Sequence, residues 1–351
     1  MAEARQLTPA ELETRLARLP RYPLGALPTP VQELPRLSER LGVRMLVKRD
    51  DLSGLAFGGN KVRQAEFFVG AALAAGCDMI IAGGNYAQSN HARIMSAAAR
   101  AAGLTPIMIV RPGDRHPEGG NALVTGLLAE EVLVVDELAT ASRDRLAEID
   151  ARSIAFERVA DGYRARGRVP YVLPGSSIPL GAAGYLGASL ELHGQLAAAG
   201  IRADWVVVTS TGASQAGLEL GRRLLGESYA VAGMAYEPTG GRAAQWVASL
   251  TNGLARLLDL PTRIEAASVL NSDAAAGPAY GALSPAAVEA IRLLAEDEAI
   301  LLDPVYSAKG MAGLLDWIRS GRIRPGQTVV FMHTGGLPAL FVYADQLLGT
   351  D

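Results

Sequence analysis

Cysteine is almost missing from this chain. The 351 residues hold one, Cys77, which excludes an intrachain disulfide framework and suits a reducing, cytoplasmic compartment. Histidine is scarce as well. The four present, His91, His116, His193 and His333, have no ligand-like spacing, so no metal site is expected. No stretch of about 18 apolar residues is free of charge, which argues against a transmembrane helix. The first twenty residues carry Glu3, Glu11 and Glu13 without an apolar core, so no signal peptide is expected. Neither charge dominates: 33 Lys and Arg against 36 Asp and Glu leave a net −3, and no basic stripe interleaves with aromatics. Nucleic acid is therefore not an expected partner. Internal repeats, heptads and low-complexity tracts are also lacking.

What is there is apolar residue in short runs. At 49% hydrophobic and 20% charged the chain can bury a large core, and its length predicts about two domains. After a polar N-terminal arm with one short helix, Val31 to Leu41 reads as a helix and Arg44–Lys48 as a strand. From Lys61 the pattern becomes regular. Strands at Met79–Ala82, Pro106–Val110, Val132–Val135, Tyr171–Leu173, Trp205–Val208, Tyr229–Ala235 and Thr328–Met332 alternate with helical segments. Four to six apolar residues per strand with helices between them predict parallel sheets covered on both faces.

Four stretches could carry chemistry, and each has a plainer alternative. Gly58-Gly59-Asn60-Lys61 delivers a lysine to a helix start, where the helix dipole disfavours a cation and lowers its pKa. That suits a Schiff-base amine; otherwise Lys61 is a solvated first-turn lysine. Gln88-Ser89-Asn90-His91 is a polar cluster with Ser89 or Asn90 as a helix N-cap. Thr209 to Gly217 runs from a hydrophobic strand into a helix through small and hydroxyl residues. It could cradle a phosphate, or be an ordinary strand-to-helix turn; it is neither Gly-x-Gly-x-x-Gly nor a P-loop. His333-Thr334-Gly335-Gly336 occupies another strand end, where Thr334 could simply cap the last helix. Tyr280 and Tyr306 lie in small-residue or proline-flanked loops, either plugging a core edge or holding a phenol near a reacting group.

Taken together, these motifs resemble the fold-type-II pyridoxal-phosphate enzymes. The resemblance is closer to the branch holding D-cysteine desulfhydrase and 1-aminocyclopropane-1-carboxylate (ACC) deaminase. It runs from Leu27-Pro28-Thr29-Pro30 to Gly335-Gly336-Leu337-Pro338. It includes Lys48-Arg49-Asp50-Asp51, Gly58-Gly59-Asn60-Lys61, Gln88-Ser89-Asn90-His91, Pro179-Leu180-Gly181, Thr211-Gly212-Ala213-Ser214-Gln215-Ala216-Gly217 and Asp303-Pro304-Val305-Tyr306. The implied fold is α/β and tryptophan synthase β-like, with two open, twisted, mostly parallel sheets and helices on both faces. The implied domains are residues 1–63 with 175–351, a large cofactor-binding domain, and 64–174, a small α/β domain. The active site is expected between them. A homodimer is implied too.

The resemblance also implies roles. Lys61 would bind pyridoxal 5'-phosphate and carry the Cα proton. Asn90 would bond the ring hydroxyl, and Thr211, Gly212, Ala213, Ser214 and Gln215 would hold the phosphate. Ser89, Asn90, His91 and Tyr86 would meet a small amino-acid substrate, with Ser89, Tyr280 and Tyr306 in the catalytic set. ACC deaminases carry a glutamate after the second tyrosine, which faces the pyridine nitrogen, and a leucine before the last glycine pair; here Ser307 and Thr334 stand at those positions and would bind the cofactor. A hydroxyl favours a protonated ring less than a carboxylate does. With His91 where the deaminases have glutamine, this is the desulfhydrase-like pattern. The expected reaction is β-elimination from a β-substituted alanine, giving pyruvate, ammonia and a leaving group such as sulfide. The alternatives are ACC deamination, elimination from another substrate such as cysteate, or an idle cofactor-binding protein. Gln64, Asn85-Tyr86 and Gly175-Ser176-Ser177-Ile178 depart from the relatives' usual residues and put the substrate in question.

Overall fold

The computed structural model describes residues 6–84, 88–111, 118–135, 145–173, 175 and 178–349, with side chains described for all of these except 145–151. Among the described residues, ten strands form two sheets. They are β1 (Val31–Glu33), β2 (Arg44–Lys48), β3 (Met79–Gly84), β4 (Thr105–Val110), β5 (Glu131–Val134), β6 (Pro170–Leu173), β7 (Trp205–Val208), β8 (Ala230–Met234), β9 (Leu270–Ser272) and β10 (Thr328–Met332). The chain divides into two compact units: residues 1–18, 26–60 and 177–351, and residues 19–25 with 61–176.

The first unit is built on a six-stranded sheet in the order β1-β2-β10-β7-β8-β9. Only the β1–β2 pair is antiparallel. Its central strands are apolar on both faces because helices cover both. Met45, Val47, Val207, Val329 and Phe331 pack on one side with Leu294, Met311 and Leu314. Leu46, Val206, Val208, Val330 and Met332 pack on the other with Tyr185, Leu192 and Leu218. Each such fully buried side chain contributes about 1.5–3 kcal/mol. The mixed α/β architecture with mostly parallel sheets is the one expected from the strand runs.

One expected helix is corrected. Val31 to Leu41 splits, with Val31–Glu33 pairing against Lys48–Leu46 and a helix covering only Pro35–Leu41. Pro35 occupies the first helical turn and holds Leu34 out of the α region, at φ −116°. The short strand β9 was not expected; its three residues are too few to show a period.

The second unit is a four-stranded parallel sheet, β5-β4-β3-β6. Met79, Ile81, Ile107 and Ile109 pack against Phe156, Ala160 and Tyr163 of the helix Arg145–Arg164. Residues 19–25 group with this unit, and 61–63 with them, although the sequence reading puts both in the large domain. Buried Glu66 ties the 19–25 segment to this unit: its carboxylate accepts from the Leu24 and Gly25 amides, both at 2.9 Å, and pairs with Arg21 at 2.7 Å. Among the described residues, no helix is long and apolar enough to cross a membrane, and no cluster could hold a metal ion.

Candidate functional site

Parallel strands place their C-terminal ends on one sheet edge, where α/β proteins bind ligands. In the first unit the loops after β2, β7, β8 and β10 emerge there, and they contain most of the residues singled out in the sequence.

The loop after β2 ends in the glycine pair before Lys61. Gly59 donates its amide to Asp50 O at 3.0 Å, and Asn60 N–H donates to Thr334 O at 3.0 Å. The two glycine pairs of the sequence interlock here. Gly59 has φ +115° and Gly335 φ +81°, and a Cβ on Gly335 would lie 2.6 Å from the Gly59 Cα. Only glycine permits both the backbone conformation and the approach. Thr334 does not cap the helix that follows, Leu337–Leu340, whose N-cap is Gly336, and that helix is not the last, since Ala344–Leu348 comes after it. The Thr334 carbonyl instead fixes the residue that precedes Lys61.

Asn60 makes a second link. Its Nδ2 donates to Ser214 Oγ at 3.1 Å, tying the lysine turn to the helix Ala213–Leu224. The N-cap of that helix, Gly212, offers no side-chain bond, and its first turn has no acidic residue. Ser210 Oγ accepts from Gly212 N–H at 3.1 Å, shaping the loop. Thr211, Ala213, Ser214 and Gln215 are buried, and Thr209 Oγ1 is buried with no partner among the described residues. A helix N-terminus without an acidic side chain, lined by small and hydroxyl residues, fits a phosphate dianion.

A tyrosine cluster follows. Tyr280 and Tyr306 bring their hydroxyls within 2.5 Å of each other. Tyr236 packs edgewise on both rings, with centroids 6.2 and 4.8 Å away. Burial pushes the Tyr280 and Tyr306 phenols well above their usual range, so both are neutral, and whichever accepts within the pair keeps its own O–H free to donate. Beside them, buried Asp303 caps the helix Ser307–Arg319: its carboxylate accepts from the amides of Val305 at 3.0 Å, Tyr306 at 2.9 Å and Ser307 at 2.7 Å. Burial still pushes the Asp303 carboxyl up. The Ser307 hydroxyl belongs to this cap. It donates to Asp303 Oδ1 at 2.6 Å and accepts from Asp303 N–H at 2.8 Å.

The second unit carries Lys61, at the start of the helix Asn60–Ala74, and the cluster after β3. Lys61 Nζ donates to Gln64 Oε1 at 3.2 Å. Ser89 is the N-cap of the helix Asn90–Ala101, its Oγ accepting from His91 N–H at 3.2 Å and Ala92 N–H at 3.3 Å. The Asn90 carbonyl accepts from Asn121 Nδ2 at 2.9 Å and Arg93 Nη2 at 3.3 Å. That leaves its amide nitrogen as the donor it can offer a ligand. His91 is buried with neither ring nitrogen hydrogen-bonded among the described residues. Burial first, then the charges of Lys61 and Arg152, pull its pKa well below the usual range, so the ring is neutral. Tyr86 and Asn85 lie outside the described residues, as do Ser176 and Ser177.

Sequence reasoning missed Tyr236, Asp303, Lys309 and Asn121. Asp303 lies within the Asp303–Tyr306 motif, but its bonds to the amides of residues 305–307 leave no N-cap signal in the sequence, because the N-cap position is held by Tyr306. Tyr236 and Asn121 act through tertiary neighbours and leave no local pattern.

Residues 23–335 match the family of pyridoxal-phosphate dependent enzymes. The chain is 37% identical to a 1-aminocyclopropane-1-carboxylate deaminase of Burkholderia vietnamiensis, over 94% of this chain and 98% of the relative. It is 36% identical to a D-cysteine desulfhydrase of Klebsiella pneumoniae, over 95% and 98%. A crystal structure of an ACC deaminase homologue superposes with a TM-score of 0.84 at 32% identity, covering 96% of this chain and 98% of that one. The chain belongs to the pyridoxal-phosphate dependent enzymes, in the fold-type-II branch that includes ACC deaminases and D-cysteine desulfhydrases, and pyridoxal 5'-phosphate is its cofactor. The uncapped, acid-free turn at Thr211–Gln215 fits that cofactor's phosphate.

Proposed function

We propose that this enzyme eliminates the β-substituent of a β-substituted alanine, as a D-cysteine desulfhydrase does, and that it works as a cytoplasmic homodimer. The observation that carries this reading is the pair of hydroxyl residues, Ser307 at the start of the helix Ser307–Arg319 and Thr334 just after β10. No carboxylate side chain stands at position 307, and the Ser307 hydroxyl is bound into the Asp303 cap. Lys61 holds the cofactor, Thr211 to Gln215 take its phosphate, and Asn90 offers an amide to its ring hydroxyl. The cofactor supplies the electron sink for breaking bonds at the substrate's Cα and Cβ. Ser89 and the neighbouring amides bind the substrate carboxylate at a positive helix end. Lys61 Nζ takes the Cα proton. The neutral phenols of Tyr280 and Tyr306 can donate to the leaving group, and His91, uncharged, contacts the substrate. The carbon product is an enamine that water converts to pyruvate and ammonia.

A second reading is ACC deamination, favoured by relatives of that name at up to 37% identity. A panel of D- and L-β-substituted alanines, cysteate and ACC separates the two, with ammonia, sulfide, sulfite and ketoacids assayed individually. Pyruvate with the free leaving group, lost in Lys61→Ala, is the expected result. α-Ketobutyrate from ACC with no turnover of the alanines would overturn it. Bound cofactor without any turnover would leave only a cofactor-binding protein.

A further inference from the structure

The helix Ser307–Arg319 buries a lysine that the proposed chemistry does not use. Lys309 is fully enclosed, one turn beyond Tyr306. Among the described residues its Nζ makes no ion pair. It donates instead to three backbone carbonyls: Tyr236 O at 2.8 Å, Ala276 O at 2.8 Å and Ala279 O at 3.2 Å. An ammonium has three N–H bonds, and all three have acceptors. Two of those carbonyls belong to the loop that carries Tyr280, and the third belongs to Tyr236, the ring packed on both phenols. The loop between β9 and the helix Pro285–Glu298 contains no helix or strand of its own. Near the tyrosines it is also held by Tyr343, whose hydroxyl donates to Gly281 O at 2.7 Å, and its first residue, Asp273, accepts from Thr239 N–H at 2.9 Å and Thr239 Oγ1 at 2.7 Å.

We propose that Lys309 is a positioning residue: its charged amine holds Tyr236 and the Tyr280 loop against Tyr306, and so sets the phenol pair for leaving-group protonation. The inference rests on the function proposed above for those phenols. The charge matters as well as the length. A neutral amine has two N–H bonds and a lone pair, so one of the three carbonyls would face that lone pair. The charged groups facing the ammonium are Glu237, beside Tyr236, and Asp303, at the start of the lysine's own helix; both favour its protonation. Burial outweighs them and brings Lys309 down to about 8. The clamp therefore titrates within the range of an ordinary assay, whereas Tyr280 and Tyr306 stay neutral through it.

The test uses the cofactor-loaded enzyme and amide hydrogen exchange of residues 274–283, corrected for the intrinsic pH dependence of exchange. Protection of this segment, relative to the helix Pro285–Glu298, is expected to fall between pH 7 and pH 9.5 in the wild type. In Lys309→Met it is expected to be low at every pH, with kcat reduced about 10- to 100-fold by misplacement of the phenol and bound cofactor retained. Lys309→Arg keeps a charge that does not titrate, so its protection is expected to stay level with pH. Protection in Lys309→Met equal to that of the wild type would overturn the proposal. Should that variant not fold, wild-type protection unchanged between pH 7 and pH 9.5 overturns it. Failure of the functional reading looks different: Tyr280→Phe and Tyr306→Phe would both keep full activity while the exchange result stands.

Discussion

The interlock of the two glycine pairs can be tested with one methyl group and a matched control. Gly335 and Gly326 have the same φ, +81°. A Cβ on Gly326 would meet nothing within 4 Å, whereas on Gly335 it would meet Gly59 Cα at 2.6 Å, Gly59 N at 3.2 Å and Gly58 O at 3.5 Å. Alanine at either site bears the left-handed penalty of about 1–2 kcal/mol. Only Gly335→Ala must also push backbone from backbone, by about 1 Å to reach an ordinary contact, which adds about 1–3 kcal/mol of overpacking. The displaced group is the turn whose Asn60 N–H bonds Thr334 O, so the amine of the next residue moves with it. A shift of that size costs about 100-fold in rate. Urea midpoints at one fixed cofactor concentration, together with cofactor retained after gel filtration, measure both effects. Gly335→Ala is expected to lose more stability than Gly326→Ala and to lose cofactor or turnover, while Gly326→Ala keeps both. Equal losses in the two variants would refute the interlock as the device that places Lys61.

Two further outcomes are expected. Asn60→Ala removes a buried hydrogen bond worth about 0.5–1.5 kcal/mol from the link to Ser214, and should weaken cofactor affinity up to about tenfold in a fluorescence titration. An unchanged dissociation constant would separate Asn60 from the phosphate cradle. His91 is neutral in the fold while its unfolded form gains a proton below about pH 6.5. Its pKa is depressed on folding, so the unfolded state binds more protons and stability falls as pH drops. Between pH 7 and 5.5 the loss is about 1 kcal/mol. Thermal unfolding of His91→Gln should lack that component, and curves running parallel to wild type would contradict it.

Most of the architecture was legible because both sheets are mostly parallel and their central strands are buried. Runs such as Trp205–Val208 and Thr328–Met332 have to be apolar on both faces, and that leaves a local trace in the sequence. Val31–Glu33 left none, because its pairing with β2 is decided by a partner strand and by Pro35. At the site, Gly58-Gly59-Asn60-Lys61 and Ser89-Asn90-His91 were readable from glycine geometry and capping. That Asn60 reaches Ser214, or that Ser307 is bound by Asp303, depends on which loops a shared sheet edge brings together. Lys309 was the least visible. Between Ala308 and Gly310 it reads as an ordinary helical lysine, and only the carbonyls around it mark it as buried.

The position of β10 has a consequence for how the protein is made. It is the last of the described strands, yet it lies between β2 and β7, paired in parallel with both. Until it has left the ribosome, β2 and β7 each lack a neighbour, and neither Thr334 nor Gly335 exists to fix the turn at Asn60. The turn that precedes Lys61 thus stays unfixed until residues 328–335 have been made. Such late closure leaves unpaired strand edges exposed meanwhile, and a translation product stopped before residue 328 would keep the lysine without the backbone that aims it.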